Sequence, residues 1–273
     1  MNIGFIGAGN MGAAIIRGYS ASAAMKGAGA DADALFVYDS DQEKAEALAA
    51  SGLPVTAAGS LGQLAEPCDV LLLCVKPNVM VEVLGGLAEK GAGKLFISIA
   101  AGISMGFIKE KLGGGAKVVR VMPNTPAMVG EGMSALSASE NVLASDKAVA
   151  EKLFSALGRA VWVSEDLMDI VTGISGSSPA YAYLYIEGLV NAGVEGGLSQ
   201  EDATVFAAQS TLGAAKMVLE NLGEVEPRQL CVNVCSPGGT TIEAVKVLEE
   251  SGFTETVKKA ALASTAKSKI MTR

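Results

Sequence analysis

The sequence predicts an α/β fold with a parallel sheet, followed by an all-helical second half. Three observations predict it. Short apolar runs alternate with helical stretches from residue 1 to about residue 164. A glycine-rich turn joins the first apolar run to the first helical stretch. From Glu165 onward the strand pattern gives way to helical spacing alone.

The apolar runs fall at Asn2–Ile6, 35–38, 70–75, 94–99, Lys117–Met122 and 160–163. They are rich in Val, Ile and Leu without strict alternation, as expected of parallel strands covered on both faces. Helical stretches lie between them, for example at 13–24, 41–50 and 145–157. Alternating β and α elements close into a parallel sheet through right-handed crossovers.

The first turn reads Gly7-Ala8-Gly9-Asn10-Met11-Gly12 and begins right after the Ile6 end of a strand. A lone G-x-G-x-x-G is a weak signal, but this one has the strand before it and the helix after it. Gly7 permits the tight turn, Gly9 leaves room for a pyrophosphate, and Gly12 lets helix pack on strand. The helix N-terminus then offers N–H groups to phosphates. Without a ligand the same residues are only a glycine-rich turn.

Asp39 ends the second apolar run. An acid there accepts bonds from an adenosine ribose and repels a 2′-phosphate, which favours NAD over NADP. The other reading is an ordinary loop acid, with Asp41 the better helix cap. From Gly12 to Asp39 the spacing is 39 − 12 = 27 residues, against about 20 in the usual motif. An insertion around residues 26–31 accounts for the excess. Three further loops fall at the carboxyl edge of the sheet, where ligands bind in such folds. They are Val75-Lys76-Pro77, the segment 98–102 with Ala100-Ala101-Gly102, and the segment 122–126 with Pro123-Asn124-Thr125-Pro126. Singly, each is as well explained by turn chemistry; together at one edge they favour a site.

The second half has helical spacing at 166–195, 199–222, 226–234, 240–251 and 254–271. Ser199 with Asp202, and Glu226 with Pro227, mark helix starts. Small residues such as Gly188, Ala192 and Gly193 line these helices, several of which are apolar on more than one face. Such faces predict a subunit interface. Two segments interrupt the helical text, 172–181 and 233–241, and both are crowded with hydroxyls, Gly and Pro. N–H groups and hydroxyls at a helix start make a carboxylate site. Plain capping by Ser236 or Thr240 explains the second segment equally well. Cys231 and Cys235 fit a metal or redox pair less well than two small buried thiols, since no C-x-x-C or histidine accompanies them. Lys216 is either a catalytic lysine or a side chain snorkelling from a packed helix. Tyr181, Tyr183 and Tyr185 do not share a face and read as packing or interface residues, with a role for one hydroxyl left open.

Composition narrows the chemistry. The 273 residues are 50% hydrophobic and include no histidine. This removes Ser-His triads, imidazole acid–base catalysis and ordinary His-rich zinc sites, and no metal is expected. A net charge of −8 without a basic run argues against nucleic acid. No apolar run approaches the roughly 18 residues of a membrane span. The chain enters its first strand directly with no leader, and its four cysteines lack a disulfide framework, so a reducing cytoplasm is the expectation.

Taken in order, Gly7–Gly12, Val75-Lys76-Pro77, the 122–126 loop, the Ser175-Gly176-Ser177 block and Ser236-Pro237-Gly238-Gly239-Thr240-Thr241 resemble the pyrroline-5-carboxylate reductases over essentially the whole chain. The two hydroxyl-rich blocks are the specific part of the resemblance. It implies a Rossmann-like domain at 1–164 and a helical dimerisation and substrate domain at 165–273. It also implies a homodimer at least, with rings of dimers common. By the same resemblance, cofactor positions fall on Phe5, Ile6, Gly7, Ala8, Gly9, Asn10, Met11 and Gly12, on Asp39, and on Val75, Lys76 and Pro77. They continue at Ala100, Ala101, Gly102 and Asn233, with Asn124 added from the neighbouring loop. Substrate positions fall on Glu165, Thr240 and Thr241, with Ser175, Gly176, Ser177 and Gly239 beside them. Two positions depart from the family pattern. Ser178 stands where a glycine is usual, which would strain the backbone if φ there were positive. Residues before proline usually adopt extended backbone, which Ser tolerates. Cys235 stands where a hydroxyl is common.

The implied chemistry is hydride transfer from NADH or NADPH to a cyclic imine, giving L-proline. Asp39 leans toward NADH, whereas the family commonly uses NADPH. A protonated imine is already electrophilic, so no strong base is needed. Thr241 is the candidate partner of the imine nitrogen and the candidate catalytic residue. N–H groups around Gly239-Thr240 would hold the carboxylate. The rivals are a hydroxyacid dehydrogenase using Lys216, and a nucleotide-sensing or scaffolding protein with a vestigial pocket.

Overall fold

In β4 (Val70–Leu73) and β5 (Leu95–Ser98) every residue is buried, as strands covered on both faces require. The computed structural model describes residues 1–22, 25 and 32–272, so the predicted insertion at 26–31 lies outside the described residues. The sheet has eight strands in the order β3-β2-β1-β4-β5-β6-β7-β8. The others are β1 (Asn2–Ile6), β2 (Ala34–Tyr38), β3 (Val55–Ala57), β6 (Lys117–Met122), β7 (Gly132–Ala138) and β8 (Gly158–Trp162).

Six strands match the predicted runs to within two residues at each end. β3 and β7 were not predicted, and β7 runs antiparallel to β6, so the sheet is mixed rather than wholly parallel. Successive residues of β4 face opposite layers. Val70 and Leu72 join one apolar cluster with Phe5, Ile97 and Phe154, while Leu71 and Leu73 join another with Phe96, Leu84 and Ile108.

The helices of this part are α1 (Asn10–Ala21), α2 (Gln42–Ala50), α3 (Leu61–Ala65), α4 (Met80–Leu87), α5 (Met105–Leu112) and α6 (Ala144–Ser155). Asp41 occupies the N-cap position of α2 but makes no side-chain cap bond; its carboxylate pairs with Lys44 at 2.9 Å instead. After β8 come α7 (Met168–Val171), a π-helical turn at Thr172–Gly176, α8 (Ser178–Glu195), α9 (Gln200–Glu220), α10 (Pro227–Val234), α11 (Thr240–Glu250) and α12 (Phe253–Met271). The predicted interruption at 172–181 is therefore a π turn leading into a helix rather than a loop. Ser178 is the first residue of α8, and among the described residues only glycines have positive φ, so Ser178 carries no strain. The extended backbone expected before Pro179 gives way to a helix start, where a missing N–H is tolerated.

Contacts divide the chain into two compact units, Met1–Ser177 with Leu262–Arg273, and Ser178–Ala261. In the second unit Ser199 caps α9, its Oγ accepting the Asp202 N–H at 3.0 Å, and Glu226-Pro227 opens α10.

Candidate active site

The glycine-rich turn behaves as its three glycines suggest. Gly7 has φ +111°, and a Cβ there would sit 2.7 Å from the Cys74 carbonyl oxygen. A Cβ on Gly12 would sit 2.2 Å from the Gly7 carbonyl oxygen, so α1 can approach β1 only with glycine at this position. A Cβ on Gly9 would meet nothing within 4 Å, which leaves its face open to a ligand. Gly9 is also the N-cap of α1 and no side chain caps that helix. Its first-turn N–H groups and positive dipole end are thus available to a pyrophosphate.

Asp39 reaches back across the sheet edge. Its Oδ2 accepts the Ala8 N–H at 2.7 Å and its Oδ1 accepts the Asp41 N–H at 3.0 Å. The carboxylate therefore ties the end of β2 to the glycine turn, and each oxygen keeps a second lone-pair direction for a ribose hydroxyl. Beside it a groove of about 310 Å³ is lined by Ile6, Gly7, Tyr38, Asp39, Ser40, Leu61, Val75, Val79, Glu82, Val83 and Gly86. That lining carries two acids and no lysine or arginine.

A second groove, of about 220 Å³, gathers Met11, Cys74, Val75, Lys76, Pro77, Ile99, Ala100, Ala101, Met122 and Pro123. The three carboxyl-edge loops thus meet at one place. Burial pushes the Cys74 thiol up to about 12, so it stands in this groove as a neutral thiol. Gly102 has φ +72°, and a Cβ there would lie 2.9 Å from the carbonyl oxygen of Met271, so the end of α12 closes over this loop. Asn124 does not line the groove. Its Oδ1 accepts the Met133 N–H at 2.9 Å, and its Nδ2 donates to the Ser175 carbonyl at 3.1 Å.

Glu165 opens a 3₁₀ turn after β8. Its Oε1 accepts the Met105 N–H at 2.7 Å and pairs with Arg120 at 3.2 Å. Sequence reasoning missed Arg120. The signal was present as one cation in the apolar run Val118-Val119-Arg120-Val121. With the side chain of Arg120 buried and that of Glu165 partly exposed, the pair fixes Glu165 at the rim of a groove that also holds Ser137, Lys147 and Trp162.

The hydroxyls of the Ser175–Ser177 turn are engaged within the same unit. Ser175 Oγ donates to the Val171 carbonyl at 3.1 Å, and Ser177 Oγ shares a bond with Ser264 Oγ at 2.8 Å. A Cβ on Gly176 would come 2.7 Å from Met122 Cε, which seats this turn on the residue that also lines the second groove.

In the other compact unit Gly239 is the N-cap of α11, with no side-chain cap bond. Neither Ser236 nor Thr240 caps the helix, and Thr241 is its second residue, half-buried. Asn233 is near the end of α10 and accepts a bond from Gln229 at 2.8 Å. Cys231 and Cys235 are unpaired thiols; burial first, then the neighbouring Cys231, push Cys235 up. Lys216 is exposed on α9. Among the described residues no cluster of three or more Cys, Asp or Glu could hold a metal, and no helix is long and apolar enough to cross a membrane.

Comparison with known proteins places this geometry. Residues 165–271 match the family model for pyrroline-5-carboxylate reductase dimerisation, and residues 2–102 match that for NADP oxidoreductase, coenzyme F420-dependent. The pyrroline-5-carboxylate reductase of Escherichia coli is 42% identical, over 92% of this chain and 91% of its own. A solved pyrroline-5-carboxylate reductase from Coxiella burnetii superposes with a TM-score of 0.89 at 35% identity, covering 100% of this chain and 98% of its own. The pyrroline carboxylate reductase of Plasmodium falciparum, solved with NADP bound, gives 0.85 at 35% identity, with the same coverage of 100% and 98%.

Proposed function

The chain belongs to the pyrroline-5-carboxylate reductase family and is a nicotinamide-dependent reductase of proline biosynthesis, and from that premise we propose how its residues divide the work. When bound, the reduced nicotinamide supplies a hydride to the imine carbon. The protein's part is to orient both reactants, a contribution that reaches roughly 7–11 kcal/mol in favourable cases.

The first-turn N–H groups of α1 hold the pyrophosphate, supported by the open face at Gly9 and the absence of a side-chain cap. Asp39 and the 310 Å³ groove take the adenosine end, while Val75-Lys76-Pro77 and Ala100-Ala101 border the nicotinamide end, with Gly102 next to them in the chain. Asn233 is the remaining cofactor contact by family position. We read a preference for NADH, because the adenosine groove offers a 2′-phosphate two carboxylates and no cation. The NADP held by the Plasmodium falciparum relative points the other way. Replacing Asp39 with Ser should shift the ratio of catalytic efficiencies toward NADPH; an unchanged ratio would show that Asp39 does not read the ribose.

The observation that carries the substrate assignment is the uncapped start of α11. The Gly239 N–H already donates to the Ser236 carbonyl at 3.0 Å, so the N–H groups of Thr240 and Thr241 are the ones that suit the imine's carboxylate, and the Thr241 hydroxyl is left to bond the imine nitrogen. By family position, Glu165 and the Ser175–Ser177 turn are also assigned to the substrate. The bonds to Met105 and Arg120 both use Oε1 of Glu165, which leaves Oε2 for substrate. Thr241→Val keeps shape and removes the hydroxyl. It should lower kcat/KM for pyrroline-5-carboxylate by a factor equivalent to about 1.5–3 kcal/mol, with melting temperature and dinucleotide affinity unchanged. Normal kcat/KM with a lowered melting temperature would make Thr241 a structural residue only.

We further propose the functional division at residues 1–164 and 165–273, supported by the start of the dimerisation match at residue 165. A homodimer is the working unit and rings of dimers its larger form. Four unpaired cysteines suit the cytoplasm.

A further inference from the structure

We propose that Asn124 is a positioning residue: its carboxamide holds the Ser175–Ser177 turn against the end of β6 and so shapes the substrate pocket, not the cofactor pocket. This rests on the placement of the imine beside that turn proposed above.

Helical spacing would give the Ser175 carbonyl the N–H of residue 179, but residue 179 is proline and has none. The carbonyl accepts from Asn124 Nδ2 instead, at 3.1 Å. The opposite end of the same amide accepts the N–H of Met133 in β7, at 2.9 Å. Asn124 is only 8% exposed. Flipping the amide would set donor against donor at Met133 and acceptor against acceptor at Ser175, so one orientation alone satisfies both ends. The turn needs such a clasp because it is π-helical: the Ser177 N–H bonds to the Thr172 carbonyl, five residues back. π turns displace the ordinary carbonyl partners and recur at functional sites. Gly176 meanwhile packs on Met122, two residues before Asn124 and in the wall of the nicotinamide groove. The residues 122–124 thus touch a cofactor groove with one side chain and the substrate turn with another.

Aspartate has the shape of asparagine and keeps the acceptor for Met133, but turns an oxygen toward the Ser175 carbonyl. Asn124→Asp should raise the KM for pyrroline-5-carboxylate about tenfold or more, the scale of one lost hydrogen bond. Dinucleotide Kd, measured by calorimetry, should stay within about twofold. Adding Pro179→Ala supplies the N–H that the proline withholds and should recover part of the lost affinity. A general loss of stability would not be repaired from residue 179. Should Asn124→Asp not fold, Asn124→Ala leaves a gap in place of the repulsion and carries the same comparison. An unchanged imine KM, or a dinucleotide Kd that rises in step with it, overturns the assignment. Ser177→Ala separates the two claims. If it raises the imine KM while Asn124→Asp does not, the clasp alone is wrong. If neither variant changes it, the substrate does not lie beside this turn and the clasp proposal falls as well.

Discussion

The two compact units use their apolar residues in opposite ways. Met1–Ser177 with Leu262–Arg273 buries two large clusters, one on each face of the sheet. Ser178–Ala261 buries a cluster of three, Val190, Ala203 and Ala207, while Leu184 is 68% exposed and Phe206 is 66% exposed. A soluble surface rarely leaves so much apolar area uncovered unless something binds there. The match of this region to a dimerisation family says what does. The first unit therefore carries its stability internally, and the second completes its core only in the oligomer.

The sharpest way to break this contrast is to place charge on the exposed apolar face of the second unit. Leu184→Asp with Phe206→Asp should give monomers by light scattering and lower turnover by about a hundredfold, as expected when folding and association are linked. Leu143→Asp, on a residue of the first unit that is also well exposed, should leave both mass and turnover alone. A fully active monomer of the double variant would end the comparison.

Next in size is Gly102→Ala in the first unit. Its positive φ and the 2.9 Å approach to the Met271 carbonyl leave no room for a methyl group. Strained backbone of this kind costs about 1–3 kcal/mol. The melting temperature should fall and dinucleotide affinity with it. Wild-type stability and affinity would show that α12 moves aside freely.

Much of this was legible in the sequence, and the failures have physical causes. Long apolar strands and the Gly7–Gly12 turn announce themselves, because burial on both faces and a tight phosphate turn each demand particular residues. β3 is three residues long, and β7 reads Gly-Met-Ser-Ala-Leu-Ser-Ala, too small and polar to look like a strand. The Thr172–Gly176 turn looked like a loop because Gly, Ser and Pro usually mark one, and local composition does not encode a π register. At the site, the strand pattern pointed to Asp39, and the family resemblance to Glu165 and Thr241. It did not reveal that Arg120 anchors Glu165 or that Asn124 satisfies the Ser175 carbonyl, since both pairings join residues more than forty positions apart.

An effect of similar size, but confined to neutral pH, separates the units by their electrostatics. Asp33 is buried in the first unit, bonded by Tyr19 and by Lys152 at 2.8 Å, with the amino terminus at 3.4 Å. Burial works against its charge, but the bonds from Lys152 and Tyr19 outweigh it and hold the carboxyl below its ordinary value. A depressed carboxyl contributes stability above its unfolded pKa of about 3.9 and loses it as pH falls through the folded value. Asp33→Asn should therefore cost about 1–3 kcal/mol in urea unfolding at neutral pH, the scale of a buried charged hydrogen bond. The gap to wild type should close as pH drops below about 4. A gap that persists unchanged in acid would mean that shape, not charge, is what Asn fails to supply.

The smallest effect is expected at the ion pair between Glu255 and Lys258 on α12, in the second unit. The two are 3.4 Å apart at i,i+3, with side chains 54% and 65% exposed. Water screens such a pair, and ordering two long side chains offsets most of the attraction, so exposed pairs are worth about 0–1 kcal/mol. Glu255 also lies in the first turn of its helix, where a negative charge gains a little from the dipole. Glu255→Gln removes both terms at once while keeping the side chain's length. Its cost in urea unfolding should stay under about 0.5 kcal/mol, and 0.5 M salt should erase what there is. A cost that rivals Asp33→Asn and resists salt would mean that the pair is buried in the assembled protein. The dimer would then cover the start of α12 as well as the apolar faces of α8 and α9.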